Sequence, residues 1–173
     1  MKKDLRYICY TYMREKSCKV DYELLSDALT VSVGMVLPYL TQKEKEVAQD
    51  LQKIQVLCYH ANGSVRGLLA ITQEDIEWLS ERYDFYINEV GDTLKQFVLP
   101  QGPIATMMLH QVRNDAKFVY RALHHVNKET PVSELLFKFT GLLSNLACSM
   151  AFYVNKVNGV MEIPFHTKSY ILK

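Results

Sequence analysis

One run of apolar residues constrains the fold of this 173-residue chain more than any other feature. After Pro103, apolar side chains recur at steps of four, four, four, three and four residues: Ile104, Met108, Val112, Ala116, Val119 and Leu123. Such spacing aligns the side chains along one face of an α-helix, because the helix repeats about every 3.6 residues. The sequence therefore predicts a long helix over about 104–126, with one face packed against a core.

Four further helices are predicted by the same periodicity, at about 21–39, 42–61, 72–94 and 131–158. Thr72 is a candidate N-cap of the third helix, and Gly159 is a candidate stop for the fifth. Only seven glycines and five prolines occur, and few stretches alternate between apolar and polar residues. Because the connections are short, the expected fold class is all-α, a five-helix bundle that spans residues 1–173 as a single domain.

The charge balance and the apolar pattern exclude some classes of partner. Twenty basic residues stand against nineteen acidic ones, which gives a formal charge of +1. Such a balance argues against a nucleic acid or an anionic membrane as a partner. The first residues lack the apolar segment of a signal peptide, and no apolar run approaches the ~20 residues of a membrane span. We therefore expect a cytoplasmic protein.

Cysteine and histidine positions do not favour a metal site. The four cysteines are far apart and form no C-x-x-C pair, so we expect reduced thiols. Cys58 and His60 are two positions apart, and on a helix such side chains point about 200° away from each other. His124 and His125 lie near a predicted helix end, where a cation complements the helix dipole. Hence no metal ligands are predicted.

Two charged residues interrupt the predicted apolar faces. Asp27 lies beside Ala28 in the first helix, and Arg113 follows Val112 in the fourth. A charge removed from water is costly and normally requires a partner. Spacing alone leaves two interpretations, either two unrelated surface charges or a buried or half-buried pair.

A loop and the helix after it carry a recognisable pattern. Residues 97–102 read F-V-L-P-Q-G and residues 109–113 read L-H-Q-V-R. They resemble the F-x-L-P-G-G loop and L-H-x-A-R helix of the ATP:cob(I)alamin adenosyltransferase family, including the sixteen-residue step from phenylalanine to arginine. Residues 27–34, 51–61 and 139–155 resemble further family motifs, so the similarity covers roughly residues 19–158. It implies the family's bundle and a homotrimer with active sites between subunits.

Family roles transfer to five positions of the loop and the helices. Phe97 stands where an aromatic ring packs against the lower face of the corrin, keeps dimethylbenzimidazole from cobalt and leaves a four-coordinate Co(II). The alternative is a phenylalanine that anchors a turn in the core. Leu99 and Gly102 belong to the same cobalamin-binding loop. Arg113 stands near the nucleotide phosphates, where the family arginine pairs with an aspartate, here Asp27, across the subunit boundary.

The ATP-facing motifs differ more from the family pattern. Arg121 matches the last arginine of the family's R-R-x-E-R run, whereas Lys117 replaces the first. Asn145 replaces the aspartate of N-R-L-S-D. The family's glycine-rich N-terminal phosphate loop has no counterpart, since residues 7–19 contain no glycine. Lysine also lacks the planar fork with which arginine holds a phosphate. These departures put ATP and Mg²⁺ binding in doubt and predict weak nucleotide binding.

Two functions remain open at this point. The first is transfer of the 5′-deoxyadenosyl group from ATP to the cobalt of cob(I)alamin, favoured by Phe97, Asp27 and Arg113. The second is a catalytically degenerate corrinoid-binding or oligomeric helical protein without transfer, favoured by the lost phosphate ligands. An unrelated helical interaction protein is a third interpretation.

Overall fold

The computed structural model describes residues 4–91 and 97–169 and confirms the predicted all-α bundle. Its five α-helices are α1 (Cys18–Val36), α2 (Lys45–Gly63), α3 (Gln73–Val90), α4 (Ile104–Glu129) and α5 (Glu134–Val157). The main packing partners are α4 with α5, α1 with α4, α3 with α5, and α1 with α2. Helices α1, α4 and α5 therefore form the centre of the bundle, and α2 and α3 lie at its edges. Leu94, assigned to the third helix from the sequence, lies outside the described residues.

Local capping explains where the helices begin and end. Helix α1 begins three residues before its predicted start because the Ser17 side chain accepts a bond from Lys19 N, and Glu129 accepts one from Cys18 N. A 3-10 turn, Leu37–Tyr39, follows, where Pro38 ends the regular α-helix. Thr72 forms the predicted N-cap of α3 within a capping box. Each cap satisfies backbone groups that a helix end leaves without a partner.

Most of the predicted stripe on α4 is in the core. Val112, Ala116 and Leu123 are fully buried, and Val119 is nearly so. Ile104 is 59% exposed, so the stripe enters the core only after the first turn of the helix. The prediction was therefore right for the helix and wrong for its first apolar position, which lies at the end of the bundle near the loop that precedes α4.

Helix α5 is the most apolar element. By length and composition alone it could span a membrane, with a mean hydropathy of 1.4 over its most apolar window. However, 61% of that window is buried inside the bundle. Its contacts with both α3 and α4 identify it as a core helix, whose apolar character follows from its being surrounded by other helices.

A short two-stranded ribbon closes one end of the bundle. Strand β1 (Val98–Leu99) pairs with β2 (Ile163–Pro164) in antiparallel register, Val98 opposite Pro164 and Leu99 opposite Ile163. The bond from Phe165 N to Phe97 O, at 2.7 Å, extends the pairing by one residue. The segment after α5 thus returns to the loop before α4 and fixes its backbone.

Candidate functional site

The ribbon presents an apolar surface at the end of the bundle. Phe97 and Leu99 are two residues apart, and their opposite partners are Phe165 and Ile163. Because side chains alternate along a strand and align across a pair, all four belong to the same side of the ribbon. Phe97 is 65% exposed, and the other three are exposed as well. We call these four residues the ribbon face.

The exposure of Phe97 bears directly on the two interpretations of this residue. Its side chain is not part of the buried cluster that forms the core. The ring is held by backbone pairing of its own segment rather than by packing inside the bundle. Phe97 is therefore a surface ring on a fixed loop, a placement typical of residues that contact ligands.

Gly102, assigned to the cofactor site from the sequence, has a steric reason to be glycine. Its φ of +147° lies in a region that other residues rarely adopt. A Cβ atom added there would overlap the side-chain oxygen of Asn155 on α5. Gly102 therefore allows the loop to lie directly against α5, and Asn155 is a functional candidate that sequence reasoning missed. Its only signal was a polar residue on an apolar helix.

Asp27 and Arg113 face different sides of the molecule. Arg113 is half-buried and faces α5, with its Nη1 atom 3.6 Å from Cys148 Sγ, and Ser144 Oγ donates to its carbonyl at 3.2 Å. Asp27 is exposed, which agrees with a surface charge, one of the two interpretations that spacing left open. Its negative charge and its hydrogen bond with Tyr59 of α2 raise the pKa of that phenol. The two charges do not meet within one chain.

Arg113 has unused hydrogen-bonding capacity. Among the residues that the structure describes, its buried Nε atom has no hydrogen-bond partner. A buried donor without a partner costs about 1–3 kcal/mol, more when the group is charged. This guanidinium therefore keeps a donor that the described part of the chain does not satisfy.

Two grooves flank the central helix α4. The groove against α5 has a volume of about 450 Å³ and brings together Lys117, Lys138 and Asn145. The groove against α1 has a volume of about 550 Å³ and is mainly apolar, and it contains Arg121 and Phe118. The structure thus joins Lys117 with Asn145 in one groove and places Arg121, assigned to the same site from the sequence, on the opposite groove.

The N-terminal segment forms a compact cluster instead of a glycine loop. The guanidinium of Arg66 lies 2.5 Å from Glu23 and 2.8 Å from Glu15, and it stacks 4.0 Å from the centre of the Tyr12 ring. The pKa of Tyr10 is raised to about 12, mainly by burial and to a smaller extent by a hydrogen bond with Glu23. Aromatic and charged side chains therefore hold this segment, which has no glycine to wrap a phosphate.

The predicted separation of Cys58 and His60 is confirmed. Cys58 is buried, and burial raises the pKa of its thiol to about 12, whereas His60 is exposed. His124 is exposed too, and its ring contacts those of Tyr120 and Phe137. Within residues 4–91 and 97–169, no three His, Cys, Asp or Glu side chains group to hold a metal ion.

His110 is the one histidine in the core of α4. It is 4% exposed, its ring makes an edge contact with Phe152, and neither ring nitrogen has a partner among the described residues. Burial, together with the charge of Arg113, lowers the pKa of His110 to about 4. The neutral imidazole is therefore the form that packs in the fold at neutral pH.

We expect His110 to make the bundle sensitive to acid. An unfolded histidine titrates near pH 6.5, so between about pH 6.5 and 4 the unfolded chain binds the proton and the folded chain does not. Stability is complete above this range and falls as the pH falls, by about 2–3 kcal/mol. Denaturant unfolding of wild type and His110→Leu, measured at pH 7 and pH 4.5, should show a smaller loss in the variant. Equal losses would contradict the assignment.

Comparison with known structures defines the class of this fold. It is similar to that of a PduO-type ATP:corrinoid adenosyltransferase from Lactobacillus reuteri, solved as a phenylalanine-to-alanine variant with cobalamin and ATP. The TM-score is 0.80 at 20% identity, with 88% of each chain covered. An arginine-to-lysine variant of the L. reuteri enzyme, solved with ATP, gives a TM-score of 0.79 at 20% identity over 87% of this chain and 89% of that one.

Sequence comparison then identifies the family. The sequence profile described as Cobalamin adenosyltransferase matches residues 14–154, most of the chain. This protein belongs to the cobalamin adenosyltransferase family. A corrinoid adenosyltransferase of Bacillus subtilis (strain 168) is 23% identical over 154 residues, which cover 85% of this chain and 79% of the relative.

Proposed function

We propose that this protein transfers the 5′-deoxyadenosyl group of ATP to the cobalt of cob(I)alamin. A cobalt–carbon bond forms, the bond from the 5′ carbon to the phosphate oxygen breaks, and triphosphate leaves. The reduced cobalt is itself the nucleophile, so the protein must mainly orient the two substrates and exclude water. Family membership supports the reaction, and the ribbon face is the observation that carries it for this chain.

The corrinoid side of the proposal rests on Phe97 and its neighbours. A corrin is a broad, partly apolar ring system. The ribbon face offers an exposed apolar surface whose position is fixed by the pairing of β1 with β2. Phe97 is the most exposed of its four residues. Its ring would cover the lower face of the metal and keep both water and dimethylbenzimidazole away. Leu99 extends the same contact.

The nucleotide side rests on the groove between α4 and α5. Lys117 and Lys138 line this groove with Asn145 and supply positive charge for a triphosphate. Lysine acts there as a point charge, without the two parallel bonds of arginine. We therefore propose that ATP with Mg²⁺ binds this chain weakly. The Arg66 cluster adds to this, since its guanidinium is already paired with two carboxylates.

We further propose that the active protein is a homotrimer in which Asp27 of one subunit pairs with Arg113 of the next. In a single chain the two residues face different neighbours, and the Nε atom of Arg113 has no partner in the described part of the chain. Several large apolar side chains on α1 and α4 are exposed, namely Leu24, Leu25, Val31, Met35, Met107 and Phe118. An apolar surface of this kind favours contact with another subunit.

The cysteines support a cytoplasmic location. All four are free thiols, and Cys58 is fully buried. Free thiols persist in reducing compartments, whereas oxidising ones favour disulfides. We therefore propose that the protein acts in the cytoplasm.

Calorimetry with each substrate separately tests the proposed function. Titration with cobalamin should show saturable binding, and titration with ATP and Mg²⁺ should show binding weaker than micromolar. Transfer is then followed by the absorption change of cobalamin under reducing conditions with ATP present. Corrinoid binding without transfer would favour the degenerate alternative. No cobalamin binding at all would refute every corrinoid-binding interpretation and leave only the oligomeric helical protein.

A further inference from the structure

One buried amide connects both segments of the ribbon to the bundle. We call these segments, the one that contains β1 and the one that contains β2, the two arms of the ribbon. Asn155 lies on α5 and is 1% exposed. Its Oδ1 atom accepts from the hydroxyl of Thr106 at 2.7 Å, and its Nδ2 atom donates to the carbonyl of Gln101 and to Glu162 Oε1, both at 2.8 Å. Three of the four bonds that an amide side chain can make are therefore formed.

The partners of Asn155 occupy corresponding places in the two arms. Gln101 comes two residues after β1, and Glu162 comes immediately before β2. The amide thus holds both arms on the same side of the strand pair, at the end nearest α5. Gly102 brings the loop into direct contact with the amide oxygen, at a φ that strongly favours glycine.

The environment of Glu162 shows that this position of the ribbon removes a charged group from water. The residue is half-buried, and burial raises the pKa of its carboxyl group, while the bond from Asn155 acts in the opposite direction. A carboxylate removed from water needs a partner, and the Asn155 amide supplies one. The end of a surface strand pair would remain solvated if its position were unimportant.

Asn158 provides a comparison within the same helix. It is the residue that follows the last turn of α5, and its amide donates to Glu44 at 2.5 Å and to Val154 O at 2.8 Å. The bond to Val154 O closes the helix, the bond to Glu44 joins its end to the start of α2, and neither involves the ribbon. Asn155 lies one turn earlier and directs its amide toward the ribbon, so ordinary helix capping does not account for it.

We propose that Asn155 is a positioning residue for adenosyl transfer. By holding both arms, its side chain fixes the position of the ribbon face relative to the bundle, and it does not touch the corrinoid. The proposal rests on the proposed function, in that the ribbon face is taken as the corrinoid surface. Its structural part, the control of the ribbon by Asn155, is independent of any substrate.

The variant Asn155→Asp tests the structural part. It keeps the shape and the acceptor for Thr106, and it replaces the donor with an oxygen that faces the carbonyl of Gln101 and the carboxylate of Glu162. Hydrogen exchange at the Phe165 amide, which donates to Phe97 O, reports the ribbon directly. We expect it to accelerate about tenfold or more, since bonds involving charged groups are the stronger ones. Asn158→Asp is the matched control and should leave this amide unchanged.

The functional part is read on the same variants. Asn155→Asp should raise KM for cobalamin at least about tenfold, with KM for ATP unchanged, and should reduce the four-coordinate Co(II) signal. The double variant Asn155→Asp/Glu162→Gln reverses the roles of amide and carboxylate and should restore part of the protection and part of the signal. If Asn155→Asp does not fold, Glu162→Ala releases one arm and should give the same changes at smaller size.

The outcomes distinguish the structural part of the proposal from its functional part. Unchanged exchange at Phe165 in a folded Asn155→Asp protein would overturn it, and so would equal acceleration in Asn158→Asp. Faster exchange with unaltered KM and Co(II) signal would also overturn it, because the ribbon would then be held but not used. If wild type binds no cobalamin, the proposed function fails, and the exchange result alone decides whether Asn155 holds the ribbon.

Discussion

Phe97→Ala should remove the spectral signature of four-coordinate Co(II) while leaving the bundle folded. The ring is 65% exposed and lies outside the core, so its truncation should change the free energy of unfolding by less than about 0.5 kcal/mol. Without the ring, water or dimethylbenzimidazole can reach the metal, and reduction to the nucleophilic Co(I) becomes harder. The Co(II) absorption and EPR spectra with cobalamin and ATP present, together with thermal unfolding, measure both effects on one variant.

Leu68→Ala is a suitable control for this experiment. Leu68 is 92% exposed on the connection between α2 and α3, away from the ribbon. Its truncation should alter neither the spectra nor the stability. A Phe97→Ala protein that loses the ~3–5 kcal/mol typical of a buried phenylalanine would instead show that the ring anchors the core. An unaltered Co(II) signal would show that the ring does not face the metal.

Asp27→Arg should convert the proposed trimer into smaller species. The substitution places a second positive charge opposite Arg113 of the neighbouring subunit. Losing a buried charge pair across an interface costs about 2–5 kcal/mol, and like charges add repulsion. Light scattering during size exclusion should give three times the 20.0 kDa chain mass for wild type and less for the variant.

Two further variants make the result specific to the pair. Asp84→Arg carries the same change on an exposed position of α3 and should leave the mass unchanged. The double variant Asp27→Arg/Arg113→Asp restores opposite charges in reverse order and should recover part of the assembly. Wild type that elutes at 20.0 kDa would refute both the trimer and the intersubunit pair.

The helices could be predicted because their signals are local. The stripe through Val112, Ala116 and Leu123 depends only on steps of three and four residues, and the Thr72 cap only on its next neighbours. Predicted helix ends failed where a distant residue intervenes. Glu129 accepts from Cys18 N across 111 positions, and no pattern near Cys18 reveals this partner.

Candidate site residues could be proposed from the sequence where motifs follow the chain. The loop from Phe97 to Gly102 was identified by its letters, and Lys117 and Asn145 by their places in family motifs. The exposure of Asp27 was one of two interpretations that spacing left open. Spacing could not decide between them, because burial depends on which face of α1 the other helices cover.

Sequence by itself determined that this chain forms a five-helix bundle of the cobalamin adenosyltransferase family, because helix periodicity and motif order are properties of neighbouring residues. Only the tertiary structure decided how the Phe97 loop is held. The amide of Asn155 bonds to Gln101 across 54 residues, and the strand pairing joins β1 to β2 beyond α5. Such bonds depend on the packing of α4 against α5, because only packing brings these distant groups within bonding distance.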